Sequence, residues 1–138
     1  MVRRIRERVC GLTPLKRLVY LISPNKINQN FFTNLDKVLS FKNVKFFQLR
    51  LKYINQKKLI NICEKIRKIT AKHKVKFIIN DNYNLTSKVK ANGCHMGQQD
   101  GSFKIAKKNI KKPIVVIGGI NNINYKKLMN AGAKYIAL

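Results

Sequence analysis

Two short apolar runs, Val75–Ile79 and Cys94–Met96, each halt at a polar cluster, and a helix-sized segment, Asn84–Lys90, separates them. This predicts a strand, a helix and a second parallel strand, with both faces of the sheet buried. In such units the loops leaving the carboxyl ends of neighbouring strands lie on one rim, and ligands bind there. Asn80 and Asp81 follow the first run onto that rim; Gln98 and Asp100 follow the second. The chain has only five acidic residues, Glu7, Asp36, Glu64, Asp81 and Asp100. Two of the five therefore fall at one cation-sized focus.

The same alternation extends in both directions. Leu18–Ile22 reads as a first strand, stopped at Ser23-Pro24-Asn25 because proline cannot continue a ladder. A helix over about 30–40 follows, with Phe31, Leu35, Val38 and Leu39 spaced for one buried face. Val44–Lys52 reads as the next strand, and its alternation turns Gln48, Arg50 and Lys52 one way and Leu49 and Leu51 the other. Three polar residues in register are costly against apolar core. They make either the polar face of an exposed edge strand or, near a carboxyl end, a donor array in which arginine grips phosphate bidentately and lysine adds a point charge.

A long helix over about 56–72 carries Leu59, Ile62, Cys63, Ile66 and Ile69 inward, and His73 at its end suits a partner for the helix dipole. His95, inside a strand, reads as a buried hydrogen-bonded histidine, with proton transfer the rarer alternative. A further helix over about 102–109 leads through Pro113 into Ile114–Ile120, which contains Gly118-Gly119. That pair is either a plain tight turn or, ahead of a helix capped by Asn121, Asn122 or Asn124, an anion site. Gly132 closes that helix and Lys134–Leu138 begins a last strand.

In all, about six strands alternate with helices, which predicts an α/β fold with a parallel sheet. A closed eight-fold barrel needs about 200 residues, and the chain has 138. The expected organisation is a basic N-terminal extension over 1–16, frayed, and a partial barrel domain over 17–138.

With 45% hydrophobic residues the chain can bury roughly two-thirds of its unfolded surface. Its apolar runs fall short of the roughly 20 residues of a membrane span. Cys10, Cys63 and Cys94 show no CxxC spacing, which suits free thiols in a reducing cytoplasm. A formal charge of +25 would ordinarily point to a polyanion. The lysines are nonetheless spread through every segment, as a general residue bias would leave them, and no specific nucleic-acid partner is expected. Either way the field favours anionic ligands.

The motifs Tyr20-Leu21-Ile22-Ser23, Gln48-Leu49-Arg50-Leu51-Lys52, Ile79-Asn80-Asp81, Gly93-Cys94-His95-Met96-Gly97-Gln98-Gln99-Asp100 and Val116-Ile117-Gly118-Gly119-Ile120 stand in that order, each at a strand end. Together they resemble the thiamine-phosphate synthases, a (β/α)8-barrel family. The resemblance implies an incomplete TIM-type (β/α) barrel and a transferase that joins hydroxymethylpyrimidine diphosphate to thiazole phosphate, releasing pyrophosphate. Carried over by motif, Gln48, Arg50 and Lys52 would line the pyrophosphate site with Asn80 beside them. Asp81 and Asp100 would hold Mg²⁺, and Gly118 and Gly119 would receive the thiazole phosphate. All of these groups are expected to face one mouth.

Several features depart from the family. Asn82 stands where the family usually has arginine, and Asn92 where it usually has aspartate. Family members also carry two further strand–helix units after the Gly-Gln-x-Asp helix. Here that helix, ending Ala106–Asn109, runs directly into what resembles the family's seventh strand, so the chain reads as a barrel with an internal deletion and a clipped end. The resemblance leaves room for a homo-oligomer. Three alternatives compete with an active synthase: a relative of the thiazole tautomerase group, which needs no pyrophosphate clamp; an inactive fragment; and a non-catalytic basic module binding RNA, which would bind any polyanion in a salt-sensitive way.

Overall fold

The computed structural model describes residues 2–6, 17–97, 103–109, 111–117, 125–130 and 135–137. The backbone divides into two compact units, Met1–Phe77 and Ile78–Leu138.

In the first unit the elements are β1 (Val2–Arg6), β2 (Arg17–Ile22), α1 (Phe31–Leu39), β3 (Val44–Leu49), α2 (Gln56–Lys72) and the start of β4 (Lys76–Asn80). β2 and β3 are parallel, and their last ladder pair is Ile22 with Gln48. β1 runs antiparallel to β2, from Val2 opposite Leu21 to Arg6 opposite Arg17. This strand replaces the expected frayed start: residues 2–6 pair along the edge of β2, bringing the strands from about six to seven among the described residues.

The core of this unit is aromatic and aliphatic. Tyr20 stacks on Phe46 with ring centroids 5.5 Å apart, and Phe47 on Phe77 at 6.4 Å. Leu35 and Leu39 of α1 and Ile62, Cys63 and Ile66 of α2 are buried. Val38, expected on the buried face of α1, is exposed: at about 100° per residue it lies about 60° from Leu35 and about 100° from Leu39, at the edge of the stripe those two define. Burial, with Glu64 adding to it, pushes the Cys63 thiol up to about 12.

The second unit continues β4 and adds α3 (Tyr83–Lys88), β5 (Gly93–Gly97), α4 (Phe103–Asn109), β6 (Ile114–Ile117), α5 (Tyr125–Asn130) and β7 (Tyr135–Ala137). β4, β5, β6 and β7 pair in that order, all parallel. Cys94, Met96, Ala106, Ile114 and Val116 form a core cluster, with Tyr83 packed against it. Gly93 is needed for close approach: a Cβ there would lie 2.6 Å from the Pro113 carbonyl oxygen and 3.1 Å from Ile78 Cδ1.

α2 and α3 end the same way. The Lys74 N–H bonds to the Ala71 carbonyl and the Val75 N–H to that of Thr70; the Lys90 N–H bonds to Ser87 and the Ala91 N–H to Thr86. Lys74 and Lys90 take the left-handed conformation, φ 57° and 56°, that this helix-closing motif requires. Each helix thus turns back into the strand that follows. From β2 onward strand and helix alternate, the order of a (β/α) barrel of TIM type.

Candidate functional site

At the carboxyl ends of β2 and β3, backbone pairing continues after the strands stop. The Ser23 N–H donates to the Gln48 carbonyl at 2.9 Å, and the Lys52 N–H to the Asn25 carbonyl at 3.4 Å. Between them the Arg50 N–H donates to Ser23 Oγ at 2.8 Å. Gln48, Arg50 and Lys52 are alternate residues, so one side of the chain is tied at each of them to the turn after β2. The expected strand to Lys52 is corrected here: β3 ends at Leu49. The reason is that Pro24 leads the neighbouring chain out of register and a side chain takes over one rung.

The side chains differ along this segment. Gln48 is fully buried, whereas Arg50 and Lys52 are exposed. Tyr53, at φ 55°, is wholly exposed. Asn55 then caps α2, its side-chain oxygen accepting from the Lys57 N–H at 2.9 Å, so a cationic loop is bounded on both sides by fixed elements.

In the second unit Asn80 ends β4 and pairs with His95 of β5. The Asp81 N–H donates to the His95 carbonyl at 2.8 Å and holds Asp81 at φ 58°, a region that aspartate tolerates better than most residues. Asn80 Nδ2 donates to Asp81 Oδ2. Asn82 caps α3, accepting from the Leu85 N–H at 2.8 Å. The Asn82 side chain thus starts the helix. The Asp81 carboxylate is exposed, Asn80 is half-buried and the His95 side chain is buried.

Asp100, Gly118 and Gly119, with Gln98, lie outside the described residues. Among the described residues no group of three or more His, Cys, Asp or Glu side chains could hold a metal ion. No helix there is long and apolar enough to cross a membrane. Ser23 and Asn25 were not expected at the site. The signal for Ser23 was a hydroxyl directly before a strand-stopping proline, a pairing that favours side-chain-to-backbone bonds.

Strand–helix alternation with polar and charged groups fixed past the carboxyl ends of parallel strands defines a (β/α)-barrel-type protein of the kind that binds its ligands at that rim. Two solved structures share the fold. A thiamine phosphate pyrophosphorylase from Pyrococcus furiosus aligns with a TM-score of 0.59 at 18% identity, over 86% of this chain and 83% of its own. A truncated 3-deoxy-D-arabino-heptulosonate 7-phosphate synthase from Thermotoga maritima aligns with a TM-score of 0.58 at 15% identity, over 96% of this chain and 55% of its own.

The thiamine monophosphate synthase family pattern matches residues 19–112. The thiamine-phosphate synthase of Pelagibacter ubique is 52% identical over 125 residues, 88% of this chain and 60% of the relative. That of Erythrobacter litoralis is 34% identical over 130 residues, 91% of this chain and 61% of the relative. The chain belongs to the thiamine monophosphate synthase family, and it spans about three fifths of the length of these relatives.

Proposed function

We propose that the chain carries out the thiamine-phosphate synthase reaction, joining hydroxymethylpyrimidine diphosphate to thiazole phosphate, and that Gln48, Arg50 and Lys52 bind the diphosphate. The observation that supports this most is the fixing of Gln48, near the end of β3, and of Arg50 and Lys52, just past it, by the turn after β2. A guanidinium offers two parallel N–H donors to a phosphate and an ammonium adds a mobile charge; a side-chain amide at Gln48 completes the set.

The donors in the second unit fit Mg²⁺. This ion is usually held by one or two carboxylates together with substrate phosphates and water, not by an all-protein cage. An exposed carboxylate at Asp81, accepting from the Asn80 amide while the residue's backbone N–H donates to the His95 carbonyl, is such a ligand, and Asp100 is assigned as the second. When bound, the ion would neutralise charge on the departing pyrophosphate.

The carbon–oxygen bond to the diphosphate breaks with its electron pair leaving on pyrophosphate, and the thiazole nitrogen then bonds to the pyrimidinylmethyl carbon. No protein nucleophile is required. Arg50 and Lys52 stabilise the negative charge that collects on the leaving group. Gly118 and Gly119, assigned to the thiazole phosphate, hold the acceptor so that its nitrogen is aligned. The reaction is assigned to the cytoplasm, and the free, buried Cys63 agrees with a reducing compartment.

The test is pyrophosphate release by the purified chain. Release should require both substrates and Mg²⁺, and Arg50→Ala should lower kcat/KM about 100-fold, the size of a lost charge-assisted bidentate contact. No release with both substrates, together with no binding of magnesium pyrophosphate, would sink the reading.

A further inference from the structure

Of the groups that hold Gln48, Arg50 and Lys52, one is a side chain. Ser23 is 7% exposed. Its hydroxyl accepts the Arg50 N–H at 2.8 Å and donates to the Pro24 carbonyl at 3.0 Å. A parallel ladder would normally meet the Arg50 N–H with a main-chain carbonyl. Pro24 turns the chain out of that ladder, and Ser23 Oγ stands in for the missing acceptor. A hydroxyl is both donor and acceptor, so it satisfies an amide and a carbonyl at once. Alanine would leave both without this partner; threonine keeps both bonds.

We infer that Ser23 is a positioning residue for the Arg50–Lys52 segment: it sets where the guanidinium and ammonium leave the end of β3 and touches no substrate itself. Its consequence for ligand binding rests on the diphosphate role proposed above. The backbone of Gln48 is also held by the Ser23 N–H, so a single residue reaches two of the three donors, one through its main chain and one through its side chain. Lys52, at 3.4 Å from the Asn25 carbonyl, has the longest of the three tethers and depends most on Arg50 being held upstream.

The experiment compares the full chain with Ser23→Ala and Ser23→Thr, reading amide exchange at Arg50 by NMR and magnesium pyrophosphate affinity by calorimetry. Ser23→Ala should speed Arg50 exchange at least about tenfold and weaken pyrophosphate binding about tenfold, the loss expected for one buried hydrogen bond. Ser23→Thr should stay within about twofold of the parent in both. Ser23→Cys keeps the volume but is a weak donor and acceptor; it should give a smaller loss in both readouts, and it serves if the alanine variant does not fold. Unchanged Arg50 exchange in the alanine or cysteine variant overturns the inference. So does a lower Tm with unchanged pyrophosphate affinity, which is what a merely structural serine would give. If the parent chain binds no magnesium pyrophosphate while Arg50 exchange still follows residue 23, the diphosphate role fails and the positioning of the segment stands.

Discussion

Where the strands begin, this protein pairs opposite charges and packs backbone against backbone; where they finish, it holds exposed charges in place with uncharged hydrogen bonds. At the end of α2, ahead of β4, Asp36 accepts two bonds from Lys72 Nζ, at 2.9 and 3.0 Å, and lies 2.7 Å from His73 Nε2. In the second unit the start of β5 lies against the Pro113 carbonyl, and Lys112 donates to the Ala91 carbonyl. At the finishing ends, Ser23 steadies Arg50 and the His95 carbonyl steadies Asp81. Within each unit taken by itself, the difference fits a (β/α) division of labour, with stabilising contacts where strands begin and the proposed ligand groups where they finish.

The comparison can be broken most sharply at Arg50. Arg50→Ala should cut magnesium pyrophosphate affinity about 100-fold while stability stays within about 0.5 kcal/mol, as for other exposed positions; calorimetry and denaturant unfolding measure the two. A large loss of stability would mean that the finishing end also holds the fold.

Gly93→Ala should do the converse. A Cβ set 2.6 Å from a backbone oxygen forces β5 and the chain before β6 apart, costing about 2 kcal/mol by the usual scale of overpacking. Pyrophosphate affinity, measured well below the Tm, should be unchanged.

The smallest effect is expected at Asp36. Hydrogen bonds from Lys72 and then His73 hold its carboxyl below the ordinary carboxylate value. The folded value is therefore below the unfolded one, so the stabilisation is fully present above the ordinary range, near pH 4. It is lost as pH falls through the depressed folded value. Asp36→Asn should lower stability modestly at neutral pH and flatten the acid limb of a stability profile; a limb as steep as the parent's would contradict this.

The sequence made the helices and the parallel order legible because their signals are local. α2 spans Gln56–Lys72, as expected from its apolar spacing, with Asn55 as its cap. The end of β3 was not legible: Leu49 and Leu51 keep alternating past the true stop, and nothing in the string of residues says that a serine hydroxyl replaces a ladder rung. β1 was hidden for another reason. Three arginines among Val2–Arg6 give no apolar alternation, yet such charge is typical of an edge strand that must not recruit another chain. Asp36 gave no signal either, since its partners lie 36 and 37 residues further along, and His73 reads locally as a dipole partner only. The assigned roles of Asn80 and Asp81 came from motif; the conformation that presents Asp81 comes from a carbonyl in β5, which no side-chain pattern encodes.

The most direct test is a thermal melt of the parent chain and of Asp81→Asn, each with pyrophosphate alone, Mg²⁺ alone and both together. The account predicts that the parent gains Tm only when both are present, and that Asp81→Asn gains none while melting near the parent's ligand-free temperature. Superimposable parent curves under all three conditions, or equal protection in Asp81→Asn, would contradict it.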